Sequence, residues 1–414
     1  MKNMNDKKLM EYARLVAGVG INVQKGQMVL INCPVECAAF GRCLTTAAYD
    51  LGAKDVIVNW SDDAVSREHW LRAEDSVFDA VYPWDVLRNK TLAEAGMGRI
   101  SVDASDPENL LGVDADRLQR WDVANGRDNR EFYRSMMANG FPWCVISVPS
   151  VKWAKKVFPE LDEQQAMDKL WDAIFAAVRV TGDGSAVKAW QDHCTHLESL
   201  CAKLNSLRLT KLHYTNALGT DVVVGLPEEH LWLGGADTSK AGVRFVANMP
   251  TEEIFSAPQR DAVDGVICAS KPLALNGNVV DGIRLTLEKG RIVGIHADKG
   301  EDVLRRAIET DEGSHYLGEV ALVPVNSPIA QSSLLFYNTL FDENAACHFA
   351  FGEAYPACVK GGDDLPLETL KARGINAESS THVDFMVGTE DLSVVGTTHD
   401  GREVVILKDG RFAL

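Results

Sequence analysis

The chain has 414 residues, too many for one ordinary hydrophobic core, and its 46% hydrophobic and 24% charged residues are those of a soluble globular protein of two domains. A formal net charge of -17 argues against nucleic acid, whose phosphates need a basic face, and suits a cationic or zwitterionic small partner. No stretch approaches the roughly 20 apolar residues of a spanning helix, residues 1–8 lack a signal peptide's apolar core, and nine scattered cysteines without C-x-x-C pairs fit reduced thiols, so no membrane partner and a cytoplasmic location are expected.

Residues 7–19 carry Leu9, Tyr12, Ala13, Val16 and Val19 at helical spacing and predict an amphipathic helix. Residues 27–33 read as a buried strand, 37–50 as a helix stopped near Leu51-Gly52, and 55–60 as a second strand, which together make a βαβ unit. No G-x-G-x-x-G follows the first strand, so a dinucleotide site lacks its chemistry and the unit reads as scaffold. A strand-like run at 143–149 and a helix-rich stretch at 163–203 extend this α/β region. Beyond Leu207 the texture changes to short strands at 209–214, 221–224, 283–288, 291–295 and 403–407, punctuated by Gly219, Lys289-Gly290 and Asp409-Gly410. The expected architecture is an α/β amino-terminal scaffold domain, residues 1–205, followed by a β-rich α+β carboxy-terminal catalytic domain, residues 206–414.

The chemistry concentrates in that second half. His382 and Asp384 stand two apart in an extended segment, so both point to one side of the strand and offer a nitrogen and a hard oxygen. Upstream lie His348 in Cys347-His348-Phe349, Glu319 between Gly318 and the run Val320-Ala321-Leu322-Val323, and Glu253 in Pro250-Thr251-Glu252-Glu253. Taken singly, each has an ordinary structural alternative, a core histidine or a strand-edge carboxylate. Charges bordering apolar runs are half buried, however, and buried charges need partners or a metal. Five mixed nitrogen and oxygen ligands suit two adjacent divalent ions better than one.

At these residues the chain resembles the aminopeptidase T family, the thermophilic-type dinuclear metalloaminopeptidases that include aminopeptidase S and PepS. The matching blocks begin at Asn248, Asp311, Asn338, Gly352 and His382, in order, and the similarity covers nearly the whole chain. The resemblance implies that Glu253, Glu319, His348, His382 and Asp384 are metal ligands and that Tyr355 is a catalytic-site residue. It places Glu319 centrally, as the bridging carboxylate and a catalytic residue, and implies a homodimer. Phe349 and Phe351 depart from the family pattern in flanking packing only.

Two ions would bind the substrate's amine, polarise the scissile carbonyl and activate a water. Histidine ligands favour zinc or cobalt, and three carboxylates also admit manganese or magnesium. Glu252 is a candidate general base or amine-binding group, against the commoner reading of a solvated neighbour. Tyr355 is a candidate donor to the tetrahedral oxyanion, although pattern alone makes it packing. His315 is a candidate outer neighbour of the site or a structural histidine. His193 and His196, flanking Cys194, are expected to be structural, with no carboxylate cluster of their own. His399 reads as a turn, and Cys347 as a sequence neighbour of a ligand. The expected function is a metalloaminopeptidase acting on peptides with a free amino terminus. The alternatives are another dinuclear amidohydrolase acting on a non-peptide amide and a non-catalytic metal-binding α/β protein.

Overall fold

The computed structural model describes residues 2–104, 106–275 and 278–414, with the backbone alone for residues 2–5, so Met1 of the predicted lead-in falls outside the described residues. The chain divides into two compact units, Met1–Asp192 with Ala236–Pro250 and His193–Gly235 with Thr251–Leu414. A single boundary near 205 does not describe this division. The helix Ala186–Leu207 runs through it, and Leu197, Leu200, Cys201 and Leu204 on its second half are buried in the core of the second unit.

The first unit is α/β. Its parallel sheet has five strands, β1 (Met28–Pro34), β2 (Asp55–Ser61), β3 (Gly98–Asp103), β4 (Trp143–Ser147) and β5 (Asn248–Met249), in the order β2-β1-β3-β4-β5. Val29, Leu30, Ile31 and Cys33 are all buried, the continuous apolar run expected of a parallel strand covered on both faces. The helix Ala38–Asp50 completes the βαβ unit read from the sequence. The predicted first helix spans Lys2–Leu15 and ends in a π-helical turn, Val16–Gly20. Sequence reading missed β3, the strand beside β1, because its apolar Ile100 and Val102 alternate with Arg99 and Ser101 over only six residues.

The second unit is β-rich. Eight antiparallel strands form one sheet in the order Arg291–His296, Arg284–Glu288, Val263–Cys268, Asp221–Gly225, Leu209–Thr215, Ser393–Thr398, Glu403–Lys408 and Arg411–Phe412. The Lys289-Gly290 and Asp409-Gly410 turns have positive φ at both residues, as tight hairpins of this hand require. A second antiparallel sheet has four strands, β6 (Ile254–Ser256), β7 (Leu317–Leu322), β8 (His348–Gly352) and β9 (His382–Met386), in that order.

The four-stranded sheet has two unlike faces. Ile254, Val320, Leu322, Phe349, Phe351 and Phe385 belong to one buried apolar cluster, together with Leu212, Tyr214, Val224 and Ile267 of the eight-stranded sheet. The Phe349 and Tyr214 ring centroids are 5.1 Å apart. Because side chains alternate, Glu319, Ala321, His348, Ala350, His382 and Asp384 are turned to the opposite face. No described helix is long and apolar enough to cross a membrane.

Candidate metal centre

Cross-strand register brings distant residues into rows on that face. Glu319 pairs with Ala350, which pairs with Asp384; Ala321 pairs with His348; Gly352 pairs with His382. Glu253 immediately precedes β6, whose Phe255 pairs with Ala321. Ala321, Ala350 and Gly352 lie in these same rows, and their small side chains leave room between the larger polar ones. A β-bulge between Leu317 and Glu319 lets Leu317 enter the core while Glu319 takes the polar face.

The five residues expected as ligands come together in two overlapping groups, Glu253 with Glu319 and His348, and Glu319 with His382 and Asp384. Within each group the ligating atoms lie within 4.8 Å of one another. Glu319 is common to both. Its Oε1 is 3.6 Å from His348 Nε2, and its Oε2 is 3.3 Å from His382 Nε2. His348 Nε2 is also 3.2 Å from Glu253 Oε2, and His382 Nε2 is 3.4 Å from Asp384 Oδ1.

Both imidazoles are aimed from behind. An imidazole nitrogen facing a carbonyl oxygen must carry the proton, so His348 Nδ1 donates to the Ala346 carbonyl at 3.1 Å and His382 Nδ1 to the Glu353 carbonyl at 2.7 Å. In the neutral ring this leaves Nε2 as a lone-pair donor turned toward the carboxylates, the arrangement that orients metal-binding histidines.

The electrostatics fit cations. Burial would lower the His348 imidazole, but Glu253 and Glu319 outweigh it and push it well above the ordinary histidine value. Asp384 and Glu319 do the same for His382 against its own burial. Glu253 is pushed up by burial first and then by Glu319 and Asp384, with His348 opposing. Glu319, although buried, is held down at about 2 by the two imidazoles that face its carboxylate oxygens. Glu253 Oε2 is buried and accepts no hydrogen bond. A buried set of carboxylates that outnumbers the imidazoles, with one oxygen unsatisfied and no thiolate, is the donor chemistry of divalent ions such as zinc, cobalt, manganese or magnesium.

Tyr355 follows β8, and its ring lies 5.1 Å from that of His382 and 5.8 Å from that of Phe255. Its phenol is pushed well above the usual value by burial and then by Glu319, Asp384, Glu343 and Glu253, so it remains a hydrogen-bond donor. Sequence reading missed Glu343. Its carboxyl is pushed far up by burial and then by Glu253 and Asp384, so it faces the same cluster. The available signal was an acid pair, Asp342-Glu343, set between Leu340-Phe341 and Ala345-Ala346-Cys347.

Two expectations are corrected, those for Glu252 and His193. Glu252 is buried, not solvated, and its amide donates to Asn344 Oδ1 at 2.6 Å. His193 belongs to the second unit and has a carboxylate neighbour, with Nε2 3.7 Å from Glu252 Oε2 and 2.8 Å from the Thr251 carbonyl, because the helix carrying it crosses the division between units. His315 lies in the 3-10 turn Gly313–His315 and joins neither ligand group. His196, expected to be structural, is exposed, and His399 lies in a turn, as expected. The Cys347 thiol donates to the Val323 carbonyl at 3.2 Å, accepts from its amide at 3.3 Å, and is pushed up to about 11, chiefly by burial.

Fold and donor set together fit a metalloprotein with an α/β unit and a β-rich unit that carries the candidate ligand cluster. The chain belongs to the thermophilic metalloprotease (M29) family, whose model matches residues 5–412. It is 44% identical over 406 residues to aminopeptidase AmpS of Bacillus subtilis (strain 168), covering 98% of each chain. It is 40% identical over 406 residues to aminopeptidase T of Thermus thermophilus, again covering 98% of each. The solved structure of wild-type AmpT from Thermus thermophilus superposes with a TM-score of 0.92 at 39% identity, covering 99% of this chain and 100% of that one. A 2,5-dihydroxypyridine dioxygenase from Pseudomonas putida KT2440, at 11% identity and a TM-score of 0.54 over 98% of this chain and 96% of its own, shares the fold.

Proposed function

We propose that this protein is an aminopeptidase that hydrolyses the amino-terminal residue from peptides at a two-metal centre held by Glu253, Glu319, His348, His382 and Asp384. The observation that carries the two-ion reading is Glu319, whose two carboxylate oxygens each face a different imidazole, at 3.6 and 3.3 Å. On this reading Glu319 is the shared ligand, Glu253 and His348 complete one position, and His382 and Asp384 complete the other. When bound, such ions polarise the scissile carbonyl and lower the pKa of a coordinated water toward neutrality.

The chain's own groups supply the rest. Glu343, whose carboxyl burial and then Glu253 and Asp384 push far up, adds a neutral hydrogen-bonding group beside the cluster. The Tyr355 phenol donates to the oxygen that becomes negative as the tetrahedral centre forms. The hydrogen bonds from the two Nδ1 atoms keep both imidazoles in the tautomer that the site requires. The family resemblance supports a homodimer. The buried Cys33, Cys144, Cys201, Cys268 and Cys347 suit a reducing, cytoplasmic compartment.

The test pairs metal analysis of the purified protein with hydrolysis of aminoacyl reporter amides and unblocked dipeptides. Two ions per chain and release of free amino acids, abolished by N-acetylation, are expected. Equal turnover of blocked and unblocked substrates would overturn the aminopeptidase reading, and a single ion at saturation would overturn the two-ion reading.

A further inference from the structure

Asp311 lies outside the ligand cluster, yet its carboxylate accepts five hydrogen bonds. Oδ1 takes the Ser314 amide and hydroxyl, both at 2.8 Å, and the Ser379 hydroxyl at 2.9 Å. Oδ2 takes the Ser380 amide at 2.6 Å and its hydroxyl at 2.7 Å. Burial raises this carboxyl, but the Ser380 and Ser314 donors outweigh it and hold it below the usual carboxylate range. Three of these five donors come from Ser379 and Ser380, which lead through Thr381 directly into β9 and its His382.

The ties continue to the ligand. With the Ser314 hydroxyl proton committed to Asp311, Thr381 Oγ1 donates to Ser314 Oγ at 2.9 Å. The Thr381 carbonyl accepts the Glu353 amide at 2.7 Å, and the Glu353 carbonyl accepts His382 Nδ1 at 2.7 Å. Gly352 closes the contact from β8: its φ is +108°, and a Cβ there would lie 2.1 Å from the Thr381 oxygen. Asn376 Nδ2 donates to the Gly313 carbonyl at 2.8 Å and also to that of Gly352. The Glu253 and His348 side is tied by other groups, through Asn344 Oδ1 to the Glu252 amide and through the Ala346 carbonyl to His348.

We infer that Asp311 is a positioning residue of the metal centre, clamping residues 379–381 and so setting where His382 and Asp384 stand against Glu319. This rests on the two-ion reading above. A carboxylate suits the role because it only accepts. An asparagine in its place must turn its NH2 group toward either the Ser380 or the Ser314 amide, and one arm of the clamp is lost in either orientation.

The test uses full-length protein depleted of metal and titrated with Co²⁺, followed by equilibrium dialysis and visible absorption. Wild-type protein is expected to take up two ions. Asp311→Asn should weaken one uptake step by about tenfold or more and leave the other within about twofold, the range seen when groups behind a ligand are removed. Ser380→Ala, which deletes one hydroxyl on an exposed residue and keeps its amide, should act in the same direction with smaller size, so the inference remains testable if the first variant folds poorly. Hydrogen exchange of the metal-free chain should quicken across 379–385 and not across 348–352, and excess Co²⁺ should restore turnover. Two uptake steps like wild type in both variants, or an equal weakening of both steps with a lowered Tm, would overturn the proposal. A single uptake step in wild-type protein would overturn the two-ion reading itself, and the proposal with it.

Discussion

Replacing Tyr355 by phenylalanine separates catalysis from packing at one atom. The phenylalanine ring keeps the contacts with His382 at 5.1 Å and Phe255 at 5.8 Å, so the aromatic packing survives. Only the hydroxyl is lost, at a stability cost of about 1 kcal/mol, which moves the Tm of a domain of about 200 residues by roughly 2–4 °C. The catalytic loss should be far larger. A single donor to a developing oxyanion is worth about 10²–10³ in rate, or about 2.7–4 kcal/mol. Because the interaction belongs to the transition state, kcat should fall while KM and metal content stay close to wild type. Steady-state kinetics on an aminoacyl reporter amide, metal analysis and a melting curve on the one variant decide the matter. A Tyr355→Phe enzyme with kcat within threefold of wild type would refute the donor role, and a variant that loses metal would move Tyr355 from catalysis to site construction.

Glu319→Gln should weaken both ions, whereas Asp384→Asn should weaken one, and dialysis against graded Co²⁺ would expose the difference; a Glu319→Gln protein that still binds two ions tightly would remove its bridging role. In the metal-free protein His348 and His382 have raised proton affinities, so each must lose a proton before its Nε2 can ligate. Metal uptake near neutrality should therefore release protons, and apparent affinity should rise with pH, as calorimetry in buffers of different ionisation enthalpy can measure; pH-independent affinity from pH 6 to 8 would contradict the assignment. Cys347→Ala should keep both ions and most activity, at about 1–3 kcal/mol of stability for the thiol's two lost bonds to Val323; loss of an ion on this change would put the thiolate into the ligand set.

The sequence made the candidate ligands legible because they combine a donor type with a strand period. His382 and Asp384 are two apart, and Glu319 opens an apolar run, so burial and direction both follow from local rules. Glu343 was hidden because its role depends on a 3-10 turn, Glu343–Ala345, whose facing direction no short-range pattern reports. His193 and Glu252 were misjudged for a related reason: a helix crossing the division between units places the histidine beside the carboxylate, and nothing near residue 193 records where residue 252 will be. The clamp at Asp311 joins residues 68 and 69 positions apart in the chain and is written only in the folded state. In the first unit, β3 escaped notice because its apolar positions are few and its burial comes from its place in the sheet, beside β1 and β4.

The alternation of the four-stranded sheet also limits how such a protein can vary in length. Inserting or deleting one residue within β7, β8 or β9 would exchange the two faces of that strand beyond the change, sending an ionisable side chain into the phenylalanine-rich interior and an aromatic ring toward the carboxylates. The parts of the intervening stretches 323–347 and 353–381 that lie away from residues 343–346, 353–355 and 376–381 carry no such phase. Length changes confined to those parts leave the row of candidate ligands in register, so new substrate preferences can arise there while the chemistry beneath stays in place.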